Sequence, residues 1–207
     1  MKPLTTLSAV LIPALILMLI AVPVHAQDRT FGTRGDVEIA GSIAYASITP
    51  VSNGNTSDAT SIFSFGPQIA YFVADGFEIG FSPGITIYPL LPGISIISPP
   101  HGDQSTILQL FFYPGYNFRI EGSKASPFVE VPLGYTSMSS GSDKSSGFSW
   151  GVKAGVKLVA TGHLLVTFYG EYLAVTLNPE NPSPFFTSSG REGFNFLSFG
   201  IGVGGFF

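Results

Sequence analysis

The chain has 207 residues, a formal net charge of −4 and no cysteine, room for one sizeable domain or two small ones. Only 11% of the residues are charged and 45% are apolar, against roughly 25% charged in soluble domains, and the mean hydropathy is +0.39. The acidic balance and the lack of a basic cluster argue against nucleic-acid binding. The lack of cysteine excludes a disulfide framework and a lipoprotein anchor. Beyond the N-terminus no 18-residue apolar run is present, so helical membrane spans are missing. A chain too apolar for water and without such spans points to the other spanning structure, a β-barrel.

The first segment reads "MKPLTTLSAVLIPALILMLIAVPVHAQ". Lys2 supplies the positive region, an apolar core follows, and Val24-His25-Ala26 offers small residues at −3 and −1. The expectation is a signal peptide over 1–26 with cleavage after Ala26. The mature chain then begins at Gln27 with charge 8 − 13 = −5, and 27–36 form a short N-terminal periplasmic segment. Residues 37–207 would form the barrel.

From there the sequence alternates with a period of two, the mark of strands with two unlike faces. In "FEIGFSPGITI", residues 77–87, Phe77, Ile79, Phe81, Ile85 and Ile87 oppose Glu78, Gly80, Ser82, Gly84 and Thr86. Eight segments behave this way: 37–48, 60–73, 77–88, 105–118, 127–138, 147–159, 163–176 and 194–207. Each supplies the 9–11 residues of a tilted transmembrane strand. The connections alternate long and short. The short ones are Ala74-Asp75-Gly76, Ile120 to Ser126 and Ala160-Thr161-Gly162; the long ones are 49–59, 89–104, 139–146 and 177–193. In an up-and-down barrel all short turns then share one rim, as in outer-membrane proteins. The two Ala-x-Gly triplets fit three-residue hairpins. They pair Val73 with Phe77 and Val159 with His163, so that paired positions across the second turn sum to 322.

The apolar face carries Phe63, Tyr71, Phe77, Tyr135, Trp150, Phe168 and Tyr172, placed as girdles at a membrane interface. The opposite face is mostly Gly, Ser, Ala and Thr, too poor in charge for a solvated surface. The predicted fold is therefore all-β, an eight-stranded antiparallel up-and-down transmembrane β-barrel. The chain ends "FNFLSFGIGVGGFF", with Phe207 last and Val203, Ile201 and Phe199 on the same face. Over 37–207 it resembles the small outer-membrane β-barrel family, the eight-stranded OmpA/OmpX-like barrels. That resemblance implies a bacterial outer-membrane location. It further implies that Phe207, Val203, Ile201 and Phe199 carry the signal read by the barrel-assembly machinery. Gly205 departs from the family pattern, which has a larger apolar residue there.

An eight-stranded barrel is just wide enough for side chains to fill it. Gly80, Gly84, Gly134, Gly151, Gly155, Gly200, Gly202 and Gly204 point inward, beside Gln109, Tyr113 and Tyr169. Glu38, Glu78, Arg119, Glu130, Lys153, Lys157 and Glu171 also fall inward, and Glu130, Lys153, Lys157 and Glu171 are expected to form an interior charge cluster. Enzymatic templates of such barrels find little support. His163 lacks a serine two or four residues away, and His101, Asp103 and Ser105 are ordinary loop polarity. No cofactor or metal motif is present. The expected function is non-enzymatic: a structural, adhesion or surface-recognition role through the long external loops, including "LLPGISIIS" (90–98) and "PSPFF" (182–186). The alternative is a narrow porin-like channel for small solutes. The expected partners are outer-membrane lipid and lipopolysaccharide, the assembly machinery, and a host or envelope protein at the external loops, with the chain a monomer.

Overall fold

The computed structural model describes residues 30–52, 54–56, 58–88, 105–140, 143–179 and 193–207. The expected signal peptide and cleavage site, His101 and Asp103, and the loop stretches 90–98 and 182–186 lie outside these residues.

Eight antiparallel strands close on themselves. They are β1 (Val37–Ser52), β2 (Thr60–Ala74), β3 (Phe77–Tyr88), β4 (Ser105–Asn117), β5 in two pieces (Ala125–Glu130 and Leu133–Ser140), β6 (Asp143–Thr161), β7 (Leu164–Thr176) and β8 (Gly193–Phe206). Each pairs with the next, and β8 pairs with β1 from Glu38 opposite Phe206 to Val51 opposite Gly193. Val37 and Phe207 exchange two backbone hydrogen bonds of 3.0 Å, which fastens the last residue to the start of the first strand. Among the described residues every strand is paired on both sides, the β2–β3 ladder running from Ile69 opposite Phe81 to the turn.

The gap in β5 is a proline effect rather than a register change. Gly115 opposite Glu130 and Phe112 opposite Leu133 keep one common alignment. Pro132 has no N–H to give to the ladder, yet its carbonyl accepts from Gly151 and the Val131 N–H reaches the Pro114 carbonyl.

The side-chain faces are those of a molecule turned inside out. Ile43, Phe63, Phe65, Phe148, Trp150 and Phe199 are each more than half exposed on the outer wall, whereas Glu38, Glu78, Glu130, Lys153 and Lys157 are buried inside. All seven expected girdle aromatics face outward. From Phe63 to Tyr71 the outward face of β2 is apolar or proline over eight steps, about 26 Å along the strand at ~3.3 Å each. Tilted by roughly 40°, that is a belt about 20 Å tall, close to the ~25 Å apolar band of outer-membrane barrels. No solvated surface would carry so tall a continuous apolar belt.

Both Ala-x-Gly turns are tighter than expected. Ala74 pairs with Phe77 across a two-residue loop, Asp75-Gly76, and Val73 is the extra residue of a bulge. Past the bulge, Phe72 opposite Glu78 keeps the expected register. The second turn departs further: Thr161 pairs with Leu164 around Gly162-His163, and Val159 pairs with Leu165. Paired positions sum to 324 and not 322, so Lys153 faces Glu171 and not Tyr169, and Gly151 faces Leu173. Glycine takes the positive φ in both loops, +76° at Gly76 and +48° at Gly162, but as the second loop residue in one and the first in the other. Two of the expected long connections are also shorter: β1 runs to Ser52 and folds back through Asn55–Thr56, and only 141–142 separate Ser140 from Asp143.

Candidate functional site

The lumen is the only place where the strands bring chemistry-bearing side chains together among the described residues, and it is layered. At the short-turn end Phe31, Phe72, Leu165 and Phe206 form an apolar floor. Phe206 meets the edge of Phe31 at 5.2 Å between ring centres, and Phe72 does so at 5.3 Å. Toward the long-loop end Ala46, Ile48, Ile62, Phe111, Leu173, Val175 and Phe196 form an apolar ceiling. The charged residues lie between.

Lys157 is the centre of that layer. Its Nζ lies 2.8 Å from Glu38 Oε2, 2.9 Å from Glu78 Oε1 and 3.5 Å from Glu130 Oε1. Glu78 also accepts 2.8 Å from Asn117 Nδ2. Around the ring, β6 is three strands from β1 in one direction and three from β3 in the other. The ammonium therefore ties nearly opposite walls across the lumen. Phe128 and Phe31 lie beneath it, with ring centres 5.0 and 5.7 Å away, close enough for the ring faces to attract a cation.

Lys153 forms the second knot. Its Nζ lies 3.0 Å from Glu130 Oε2 and donates to Gln68 Oε1 at 2.9 Å. The Tyr169 and Tyr113 rings are 4.7 and 5.2 Å from the same ammonium. Glu130 and Lys153 are direct partners on β5 and β6. Glu171 is the direct partner of Lys153 on the other side. Its Oε1 is buried without a hydrogen-bond partner, because the lysine turns toward Glu130. Glu130, Lys153 and Lys157 thus share one network, with Glu171 at its border. Gln68 also belongs to the network, and the sequence reading missed it. Its signal was an amide at a position otherwise given to Gly, Ser and Ala.

Arg119 is not inside. It lies past the end of β4 at the short-turn rim, where its guanidinium pairs with Asp75 at 2.8 Å. The Arg34 N–H, first, and the Arg119 guanidinium hold the Asp75 carboxyl below the usual carboxylate range. Next to the second knot is a cavity of about 90 Å³ bordered by Gln68, Gln109, Tyr113, Lys153, Tyr169 and Glu171. Three inward glycines lie against these large residues: Gly80 against Gln68 and Tyr113, Gly84 against Gln109, and Gly200 against Tyr169. At Gly200 the Tyr169 ring lies where a Cβ would be, and Tyr169 Oη donates to Ser42 at 3.1 Å.

No protein-family model and no curated protein sequence matches the chain. Solved structures do. Neisserial surface protein A is similar at 15% identity and a TM-score of 0.61, over 83% of this chain and 99% of that one. OprG from Pseudomonas aeruginosa is similar at 17% and 0.56, over 84% and 97%. Ail, the attachment invasion locus protein of Yersinia pestis, is similar at 16% and 0.50, over 84% and 100%. The chain has the fold of a small outer-membrane β-barrel. The resemblance read from the terminal strand holds at this level.

In this fold the terminal strand closes the ring. Phe199, Ile201 and Val203 face outward, each roughly half exposed or more. Phe207 continues their face and stacks on His163, with ring centres 6.1 Å apart. Gly205 now has a local reason: a Cβ there would stand 3.0 Å from Phe207 Cζ. The small residue leaves the site to the terminal ring.

Proposed function

We propose that the chain is a non-enzymatic integral protein of the bacterial outer membrane. In this reading the barrel is a filled anchor, and the work is done at the long-loop end as structural support, adhesion or surface recognition. The observation that carries this reading is the Lys157 bridge to Glu38, Glu78 and Glu130. A solute crossing the lumen would have to part an ammonium from three carboxylates in a low-dielectric interior, where breaking even one buried pair costs about 3–5 kcal/mol. The apolar floor and ceiling add two further barriers. NspA is named as a surface protein and Ail as an attachment invasion locus protein, and this reading extends such a role to the chain. Lipid and lipopolysaccharide would contact the outer belt, the assembly machinery would act on the terminal strand, and a host or envelope protein would meet the loops of a monomeric barrel.

The test is planar-bilayer recording of purified, refolded protein. Silence at neutral pH is expected. Stable ohmic steps would overturn the filled-anchor reading in favour of a narrow channel.

A further inference from the structure

From the residues ahead of β1 we infer that Phe31–Asp36 is a hinged stopper controlling access to the buried charge layer from the short-turn side. The stretch reads Phe-Gly-Thr-Arg-Gly-Asp, and φ values of +78° at Gly32 and +93° at Gly35 let it double back under the barrel.

Four hydrogen bonds fasten it to one side of the ring. Gly35 N–H donates to the Phe72 carbonyl at 2.8 Å, and Phe72 N–H donates to the Asp36 carbonyl at 2.9 Å. Gly76 N–H donates to the Gly32 carbonyl at 2.8 Å, and Arg34 N–H donates to Asp75 Oδ1 at 2.9 Å. All four bonds run to the hairpin joining β2 and β3. From that hinge the Phe31 ring reaches inward, only 5% exposed, and closes the floor with Phe72 and Phe206. Above it stands the Lys157 ammonium, 5.7 Å from the ring centre.

Among the described residues, the other side of the ring borders open space. A groove of about 890 Å³ runs from Phe31 past Arg119, Lys124, Ser126, Val159 and Gly162. A door needs a hinge, a leaf and room to swing, and the segment has each. Held by a few rim hydrogen bonds against a barrel laced by whole ladders, it opens locally at far lower free energy than the barrel unfolds. Opening would connect the groove to Lys157 without parting any strand pair.

The test uses a single thiol in a chain without native cysteine. Leu165→Cys places it in the floor, at a side chain that is 0% exposed. The refolded protein is exposed in detergent micelles to a small, charged methanethiosulfonate reagent, and the labelling rate is compared across variants. Slow labelling is expected for Leu165→Cys alone. At least a tenfold increase is expected with added Phe31→Ala, a smaller increase with Asp75→Ala, and the slow rate again with Phe31→Leu. Heat-dependent mobility in SDS identifies the folded barrels. If Phe31→Ala does not fold, Asp75→Ala at the exposed turn decides. Rapid labelling of Leu165→Cys alone, or equal rates in every folded form, would overturn the stopper.

Discussion

Lys153 and Glu171 are direct cross-strand partners, yet the lysine ammonium turns away from Glu171 and binds Glu130 on the opposite neighbour at 3.0 Å. The buried charges are therefore organised by the tie between β5 and β6, and Glu171 contributes at its edge. Lys153→Met should destabilise the barrel by roughly 3–5 kcal/mol, the usual cost of breaking a buried pair by removing one partner. Adding Glu130→Gln should recover a large part, and adding Glu171→Gln much less. Urea unfolding from micelles gives the coupling energies. Strict additivity of Lys153→Met with Glu130→Gln would show that the two are not linked.

Lys157→Met should be the more damaging lysine substitution. It leaves Glu38, Glu78 and part of Glu130 without their shared cation, whereas Lys153 serves one carboxylate and one amide. The ranking can be read from the temperature at which unheated SDS mobility converts to the boiled form. A Lys157 variant converting at or above the Lys153 variant would contradict the assigned centre of the network.

The strands were legible because two-residue alternation survives in every segment, and it assigned the girdle aromatics outward and Glu38, Glu78, Glu130, Lys153 and Lys157 inward, failing at Arg119, which lies past the end of β4. The register across β6 and β7 was not legible, for a physical reason. A slip of two residues leaves every side chain on its own face, so alternation cannot detect it. Packing decides: the observed register sets Leu165 beside Val159 in the apolar floor and puts Thr167 opposite Lys157. The expected sum of 322 would have set Leu165 against that lysine. Phe31 was missed because a lone aromatic between polar residues and glycine has no periodicity to betray its burial.

Gly200→Ala should cost about 1–3 kcal/mol, the usual range for overpacking, because the Tyr169 ring occupies the space of the new methyl group. Combined with Tyr169→Ala, which empties that space, the glycine substitution should cost far less than it does alone. A Gly200→Ala barrel as stable as the parent would mean that Tyr169 does not lie across the glycine.

Deleting Phe207 removes two hydrogen bonds to Val37 and the stack on His163. At about 1 kcal/mol per net hydrogen bond, refolding into detergent should survive with a modest loss of stability. Outer-membrane yield in cells should fall out of proportion to that loss if the assembly machinery reads the terminal ring. Normal yield of the deletion variant would remove that role from Phe207.

Trp150 is the single tryptophan, and its side chain stands on the outer wall with 53% of the residue exposed. It reports directly on whether that wall faces lipid. Refolded into vesicles of brominated phosphatidylcholine, the protein should lose most of its tryptophan fluorescence, while aqueous acrylamide should quench it weakly. Strong acrylamide quenching with no effect of the brominated lipid would place Trp150 in water and contradict the membrane-embedded barrel.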